Sequence, residues 1–341
     1  MMRVPFDELC GHIERVLLSL ALTPPRASLA ARLIAETDRD GVRTHGIARL
    51  PRLAEMIRLG RIDPLAEPEL VGNVGALERW IGHRGPGNLA AHAAMNRAMK
   101  LAGEHGLGAV ALADTTHWLR GGSYGWQAAE AGYAALCWTN TLPNLPPWGA
   151  TTPALGNNPL VLAVPRRNPA RQSTPIVLDI AMSQFSYGTL ERYRETGEPL
   201  PFPGGFDEHG ELTRDAAAIE RSQRALPIGL WKGSGLSFVL DVLAAMLSAG
   251  RATHELPVDP LQEVGQSQIF LAFAPSALSS LEELDRIAQG AIDALHAATP
   301  LSPGNTARYP GEGTLRIREE NLRLGVALDE AAWNALLRLE S

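Results

Sequence analysis

Ala109-Val110-Ala111-Leu112-Ala113 carries no polar side chain over five positions, between Gly108 and Asp114. Such a run reads as a strand inside a core, and a strand that apolar needs other elements packed over it. The helical signals lie mostly outside the middle of the chain. Phe6, Leu9, Ile13, Leu17 and Leu20 recur at three- or four-residue steps, which predicts an amphipathic helix over 6–22 ended by Pro24-Pro25. A second helix is expected over 27–37, a polar break over 38–44 and a third helix from about 46 to 59. An alanine-rich helix over 88–102, stopped at Gly103, follows Gly85-Pro86-Gly87. Beyond the apolar run come a helix near 125–131, strands at 133–138, 160–164, 175–180 and 268–274, and a strong helix over 235–248. Five prolines make 142–159 irregular, 166–173 is a polar turn, and 196–225 reads as a surface excursion. The tail is helical at 279–297 and 318–338. This order predicts an α/β fold with a mixed sheet, in which 1–75 and 285–341 form one discontinuous helical domain beside an α/β domain of 76–284.

Thr44-His45-Gly46-Ile47-Ala48-Arg49 carries the clearest chemistry. If the third helix begins here, His45 and Arg49 share a face at i and i+4. An arginine fork clamps a carboxylate at two points, and an imidazole exchanges a proton near neutrality. The pair suggests an enzyme acting on a small oxo or hydroxy acid. Composition narrows the classes further. A net charge of -6 lacks the basic footprint of a nucleic-acid binder. No run reaches the ~18 apolar residues of a membrane span, the richest (236–247) being broken by Ser237 and Asp241. Pro5, Asp7, Glu8 and Glu14 interrupt any signal-peptide layout, and Cys10 and Cys137 make neither a disulfide framework nor a metal site. The expectation is a reduced, cytoplasmic enzyme without a metal.

Several motifs have plainer readings. Gly85-Pro86-Gly87-Asn88-Leu89-Ala90 imitates the dinucleotide fingerprint, but residues 78–83 upstream make a poor core strand and proline stiffens the turn. Gly121-Gly122-Ser123-Tyr124-Gly125 matches a nucleophile elbow, which raises a serine hydrolase using Ser123; residues 114–120 separate it from the strand. Lys232-Gly233-Ser234-Gly235 ahead of an apolar helix offers backbone N–H groups to an anion, or is simply a flexible loop. His117 in a loop after the buried strand either lines a pocket or is structural. Asp179 within Ile176-Val177-Leu178-Asp179-Ile180 needs a partner, either a ligand, a histidine or a structural cation. A noncatalytic carboxylate-binding protein would retain the same clamp.

Taken together the chain resembles the malate/L-lactate dehydrogenase-like oxidoreductases nearly end to end. The resemblance rests on Thr44-His45-Gly46 with Arg49, the run 117–130, Cys137-Trp138-Thr139-Asn140, Pro146-Pro147-Trp148-Gly149-Ala150, Gly156-Asn157-Asn158-Pro159-Leu160, Trp231-Lys232-Gly233-Ser234-Gly235 and Pro310-Gly311-Glu312. The run 117–130 and the tryptophans at 148 and 231 look like a branch that reduces a diketo acid. The resemblance implies a nicotinamide-binding fold that is not a Rossmann domain, and a homodimer acting on a small 2-oxo acid. It makes His45 the acid/base and puts Thr44, Arg49, His117 and Trp148 at the substrate. Cofactor contacts map onto Pro175-Ile176-Val177-Leu178-Asp179-Ile180-Ala181, Trp231-Lys232 and Gly311-Glu312-Gly313. NADH is the expected coenzyme, with NADPH as the alternative raised by Arg166, Arg167 and Arg171 in the polar turn. Relatives that reduce cyclic imino acids, and malate- or lactate-type dehydrogenases, are the competing readings. Thr44 stands where the family usually has serine; it keeps the hydroxyl and adds a methyl.

Overall fold

The computed structural model describes residues 2–340 apart from 169, 171, 303 and 305, so Arg171 lies outside the described residues. A short strand β1 (Met2–Val4) leads into α1 (Phe6–Ser19), α2 (Pro24–Arg39) and α3 (Leu50–Arg58). A hairpin of β2 (Glu69–Val74) and β3 (Leu77–Ile81) precedes α4 (Gly87–His105) and β4 (Leu107–Thr116). Then come α5 (Gly122–Glu130), β5 (Ala134–Thr139), β6 (Leu160–Val164), β7 (Ile176–Ile180) and α6 (Tyr187–Thr196). The excursion holds β8 (Gly205–Phe206), β9 (Leu212–Thr213) and α7 (Ala216–Ser222). The chain finishes with α8 (Trp231–Ser248), β10 (Val264–Phe273), α9 (Leu281–His296), α10 (Glu312–Leu324), β11 (Val326–Leu328) and α11 (Glu330–Glu340).

The main sheet is mixed and seven-stranded, in the order β2-β3-β4-β10-β5-β6-β7, with β3–β4 parallel and the other pairs antiparallel. The apolar run at 109–113 is the heart of β4, buried on both faces as its composition requires. On one face Val110, Leu112, Cys137 and Phe270 pack with Met95 of α4 and Ala128 of α5. On the other, Ala111, Trp138 and Ile269 pack with Leu240 and Ala244 of α8, Leu190 of α6 and Ile219 of α7. A third core joins the two ends of the chain: Leu9, Ile13 and Leu17 of α1 and Ile34 of α2 meet Val326, Leu328 and Leu336. The pairing of β1 with β11 staples this helical layer.

Some expectations change. Residues 77–81 do form a sheet strand, joined to β4 through α4 in a parallel βαβ unit. At the start of that helix the Gly87 N–H is already engaged, donating to Thr116 Oγ1 at 2.9 Å. Gly106, at φ 84°, ends α4 instead of Gly103. Lys232-Gly233-Ser234-Gly235 lies within the first turns of α8 rather than ahead of it. The expected division at residue 75 falls in the β2–β3 turn, so β2 belongs with the sheet. Among the described residues no helix is long and apolar enough to cross a membrane.

Candidate active site

The segment between α2 and α3 is not the start of a helix. It makes two short 3₁₀ turns, Arg43–His45 and Ile47–Arg49, and α3 begins only at Leu50 with Pro51 in its first turn. A Cβ at Gly46 would fall 2.0 Å from Asp38 Oδ2, and that oxygen accepts the Ile47 N–H at 2.8 Å. The Asp38 carboxyl, pushed up to about 7 by burial, thereby breaks the helix and folds the loop onto α2. His45 and Arg49 are therefore not stacked on one helical face, which corrects the i, i+4 argument. They meet through Thr44: its carbonyl accepts from Arg49 Nε at 2.9 Å, and its hydroxyl is hydrogen-bonded to His45 Nδ1 at 2.9 Å.

His117 follows β4 directly and brings the second imidazole. Its ring lies 6.1 Å from that of His45, with 26° between the planes. The Leu119 N–H donates to His117 Nδ1 at 3.0 Å, which leaves the ring proton on Nε2. Both rings are held neutral. Burial, then the charges of Arg49 and Arg120, bring His45 down to about 3. Burial, then Arg49 and His45, hold His117 well below the ordinary imidazole value.

The cations around this pair are braced by carboxylates that the sequence did not single out. Arg52 donates to Glu263 Oε2 and to the Pro260 carbonyl, tying α3 to the start of β10, and Gln266 Nε2 donates to Glu263 Oε1 at 2.9 Å. Burial raises the Glu263 carboxyl while Arg52 and Arg49 lower it. Arg49, Arg52 and His117 share a small cavity of about 30 Å³ with Leu53, Met56, Ile62 and Leu119. On the other side, buried Arg120 donates to Asp40 Oδ2 at 2.7 Å, and Arg318 grips both Asp40 oxygens at 2.8 and 2.7 Å. Arg39 Nε adds a bond of 2.9 Å. Burial opposes the charged form of Asp40, yet the Arg318 hydrogen bond and the three arginine charges hold its carboxyl far below the usual range. Arg120 was visible within the run 117–130. Nothing local marks Asp40, Arg318 or Glu263, whose partners lie far along the chain.

The segments expected at the cofactor converge on β7, the edge strand of the sheet. At one end the Val177 N–H donates to the Pro310 carbonyl at 3.0 Å. Gly311 sits there at φ 95°, where a Cβ would lie 3.2 Å from Val177 N and 3.3 Å from Trp126. Only glycine lets that turn lie flush on the strand. At the other end the Ile228 N–H donates to the Met182 carbonyl at 2.8 Å, and α8 begins with exposed Trp231 and Lys232. Since Val177 N–H faces away from β6, the backbone groups of Asp179 and Ala181 face the same open edge. Asp179 Oδ2 accepts the Gly122 N–H at 2.8 Å, capping α5. Its side chain is reachable by solvent but walled in by protein, so burial raises the carboxyl while Arg120 and the Gly122 N–H lower it. An open strand edge with a glycine cradle at one end and an exposed indole at the other suits an elongated, partly aromatic ligand such as a nicotinamide dinucleotide.

Trp148 joins the α8 end of this track, where its N–H donates to Ser234 Oγ at 3.0 Å. Ser123 is the second residue of α5, seven positions past the end of β4, so it does not occupy a strand-to-helix elbow.

Comparison with known proteins places the chain in a family. Residues 4–337 match the malate/L-lactate dehydrogenase family. The 2,3-diketo-L-gulonate reductase of Salmonella heidelberg (strain SL476) is 43% identical over 333 residues, covering 97% of this chain and 98% of the relative. Among solved structures, sulfolactate dehydrogenase from Methanocaldococcus jannaschii superposes with a TM-score of 0.89 at 25% identity, covering 99% of this chain and 96% of the other. The delta1-piperideine-2-carboxylate reductase of Pseudomonas syringae pvar. tomato gives 0.87 at 26% identity, covering 99% of this chain and all (100%) of the other.

Proposed function

This chain belongs to the malate/L-lactate dehydrogenase family and is a nicotinamide-dependent oxidoreductase, from which we propose that it reduces a 2-oxo acid with NADH, converting 2,3-diketo-L-gulonate to 3-dehydro-L-gulonate. The observation that carries this reading is the Thr44-His45-Arg49 loop stacked on His117, an imidazole and a guanidinium joined through one residue. Residues 175–181, Trp231-Lys232 and Gly311-Glu312-Gly313 would hold the coenzyme, which supplies the hydride when bound.

The chain's own residues handle charge and the proton. Arg49 is anchored by Nε, and its two terminal nitrogens receive the substrate carboxylate. In the protonated form that reduction needs, His45 donates Nδ1–H to Thr44 Oγ1 and presents Nε2–H to the substrate oxygen. The Thr44 hydroxyl keeps its own proton for that oxygen. His117 offers Nε2–H to the second carbonyl of a diketo acid.

His45 is not a ready imidazolium in the free enzyme, since burial and two arginines hold it neutral. A bound carboxylate cancels the share due to Arg49, so substrate and proton enter together. The sign follows: with a free-enzyme value near 3, His45 is neutral across the working range. Reduction needs its protonated form, so kcat/KM for reduction is expected to fall about tenfold per pH unit from about pH 5 to 8. Oxidation of the hydroxy acid uses the neutral form and should show no such limb. A flat reduction profile removes His45 as the donor. Arg49→Lys should raise KM about tenfold or more with a smaller change in kcat, because an ammonium lacks the fork; an unchanged KM contradicts the clamp.

NADH is favoured because Arg166 is buried and engaged, donating to Thr174 Oγ1 at 2.8 Å and to Gln289 Oε1. That leaves it no fork for a ribose phosphate. The apolar face of α8, with exposed Leu236, Phe238, Val239, Leu243 and Met246, supports a homodimer. The deciding assay follows nicotinamide absorbance with diketogulonate, and with a cyclic imino acid as competitor, using each coenzyme. Turnover of the imino acid alone would overturn the substrate assignment.

A further inference from the structure

Resting on the acid/base role of His45, we propose that Gly188 is a positioning residue, coupled to Thr44 as one unit that holds the catalytic imidazole. Gly188 is the second residue of α6. A Cβ there would fall 2.6 Å from Thr44 Cγ2, 3.0 Å from Oγ1 and 3.3 Å from Cβ. The methyl that distinguishes Thr44 from serine therefore occupies the space a side chain at 188 would take. Threonine has few allowed χ1 settings. With Cγ2 lodged over Gly188, Oγ1 sits on His45 Nδ1 at 2.9 Å. Rotating the methyl away rotates the hydroxyl off the ring.

Neither side yields easily. The start of α6 is tied down by Ser186 Oγ, which accepts the Thr189 N–H at 3.1 Å, and by the Tyr187 hydroxyl, which donates to the Asn144 carbonyl at 3.2 Å. The Thr44 backbone is held by Arg49 Nε on its carbonyl. Side-chain rotation is the softest response to a new methyl at 188, so its damage falls on the imidazole before the carboxylate clamp.

The test measures the Gly188→Ala penalty in two backgrounds, the parent chain and Thr44→Ser. In the parent background, kcat should fall about 10²-fold with KM changed much less, as expected when a reacting group is misplaced. In the Thr44→Ser background the closest contact relaxes to the 3.0 Å hydroxyl distance, and the penalty should shrink below about tenfold, a coupling read directly from the cycle. Equal penalties in both backgrounds overturn the proposal. A second readout needs no turnover: imidazole ¹⁵N shifts of His45 in coenzyme-free protein should report the Nδ1–H form in the parent enzyme. That preference should be lost in Gly188→Ala and in Thr44→Val, which removes the hydroxyl without touching α6. Retention of it in both variants is equally fatal. If His45→Ala leaves turnover intact, the proposed function fails instead, whereas equal penalties beside an indispensable His45 fail only the coupling.

Discussion

His45→Ala is expected to lower kcat by about 10²–10⁴-fold, the usual worth of a positioned acid/base, while nicotinamide binding stays near the parent value. The separation follows from where the parts lie. His45 sits in the loop after α2, hydrogen-bonded to Thr44 and stacked on His117. The residues assigned to the coenzyme lie along β7 and at the starts of α8 and α10. Alanine also removes a ring that burial already keeps uncharged, so no buried charge is stranded and the fold should tolerate the change. Steady-state assays in both directions, with a fluorescence titration of the coenzyme, measure the two quantities independently. Turnover within a few-fold of the parent would mean that another group moves the proton.

The largest loss of stability is expected at Asp40. Asp40→Leu should cost about 3–5 kcal/mol in chemical denaturation, the range seen when one partner of a buried ion pair is removed. One carboxylate here serves three guanidinium groups, from Arg39, Arg120 and Arg318. Arg120 is the most exposed to the loss in energetic terms: it is buried, and its Nε has no hydrogen-bond partner even with Asp40 present. Arg318 retains Glu130 and its place 4.3 Å over the Trp126 ring, so it suffers less. The pH dependence carries a definite sign. The folded carboxyl lies below its ordinary value of 3.8, so the stabilisation is present above that pH and is lost as pH falls further. The gap between parent and variant should therefore narrow under acid. A difference below about 1 kcal/mol near neutrality would mean that the arginines find solvent without Asp40.

Local pattern carried the reading furthest where an element has one strong periodicity. Leu9, Ile13 and Leu17 fall on the buried face of α1, and the run at 109–113 is the centre of β4. Prolines and glycines located the irregular stretch at 142–159. The family resemblance depended on short contiguous motifs, and those contain His45, Arg49, His117 and Arg120. Periodicity was silent for β2 and β3, a largely exposed hairpin that buries only Glu78 fully and so shows no apolar alternation. It also misjudged the His45 loop, where apolar Ile47 and Leu50 continue a helical spacing. There a buried carboxylate nine residues earlier pulls the Ile47 N–H out of the helix.

Chain-local chemistry thus determined which side chains could exchange a proton and bind an acid, because hydropathy steps and a six-residue motif are written in consecutive positions. Their arrangement was decided by contacts between distant segments: Asp40 with Arg120 and Arg318, 80 and 278 residues away, and Gly188 under Thr44. Such contacts depend on how close two backbones come once the layers are packed, a distance to which no residue's identity or spacing corresponds until the chain has folded.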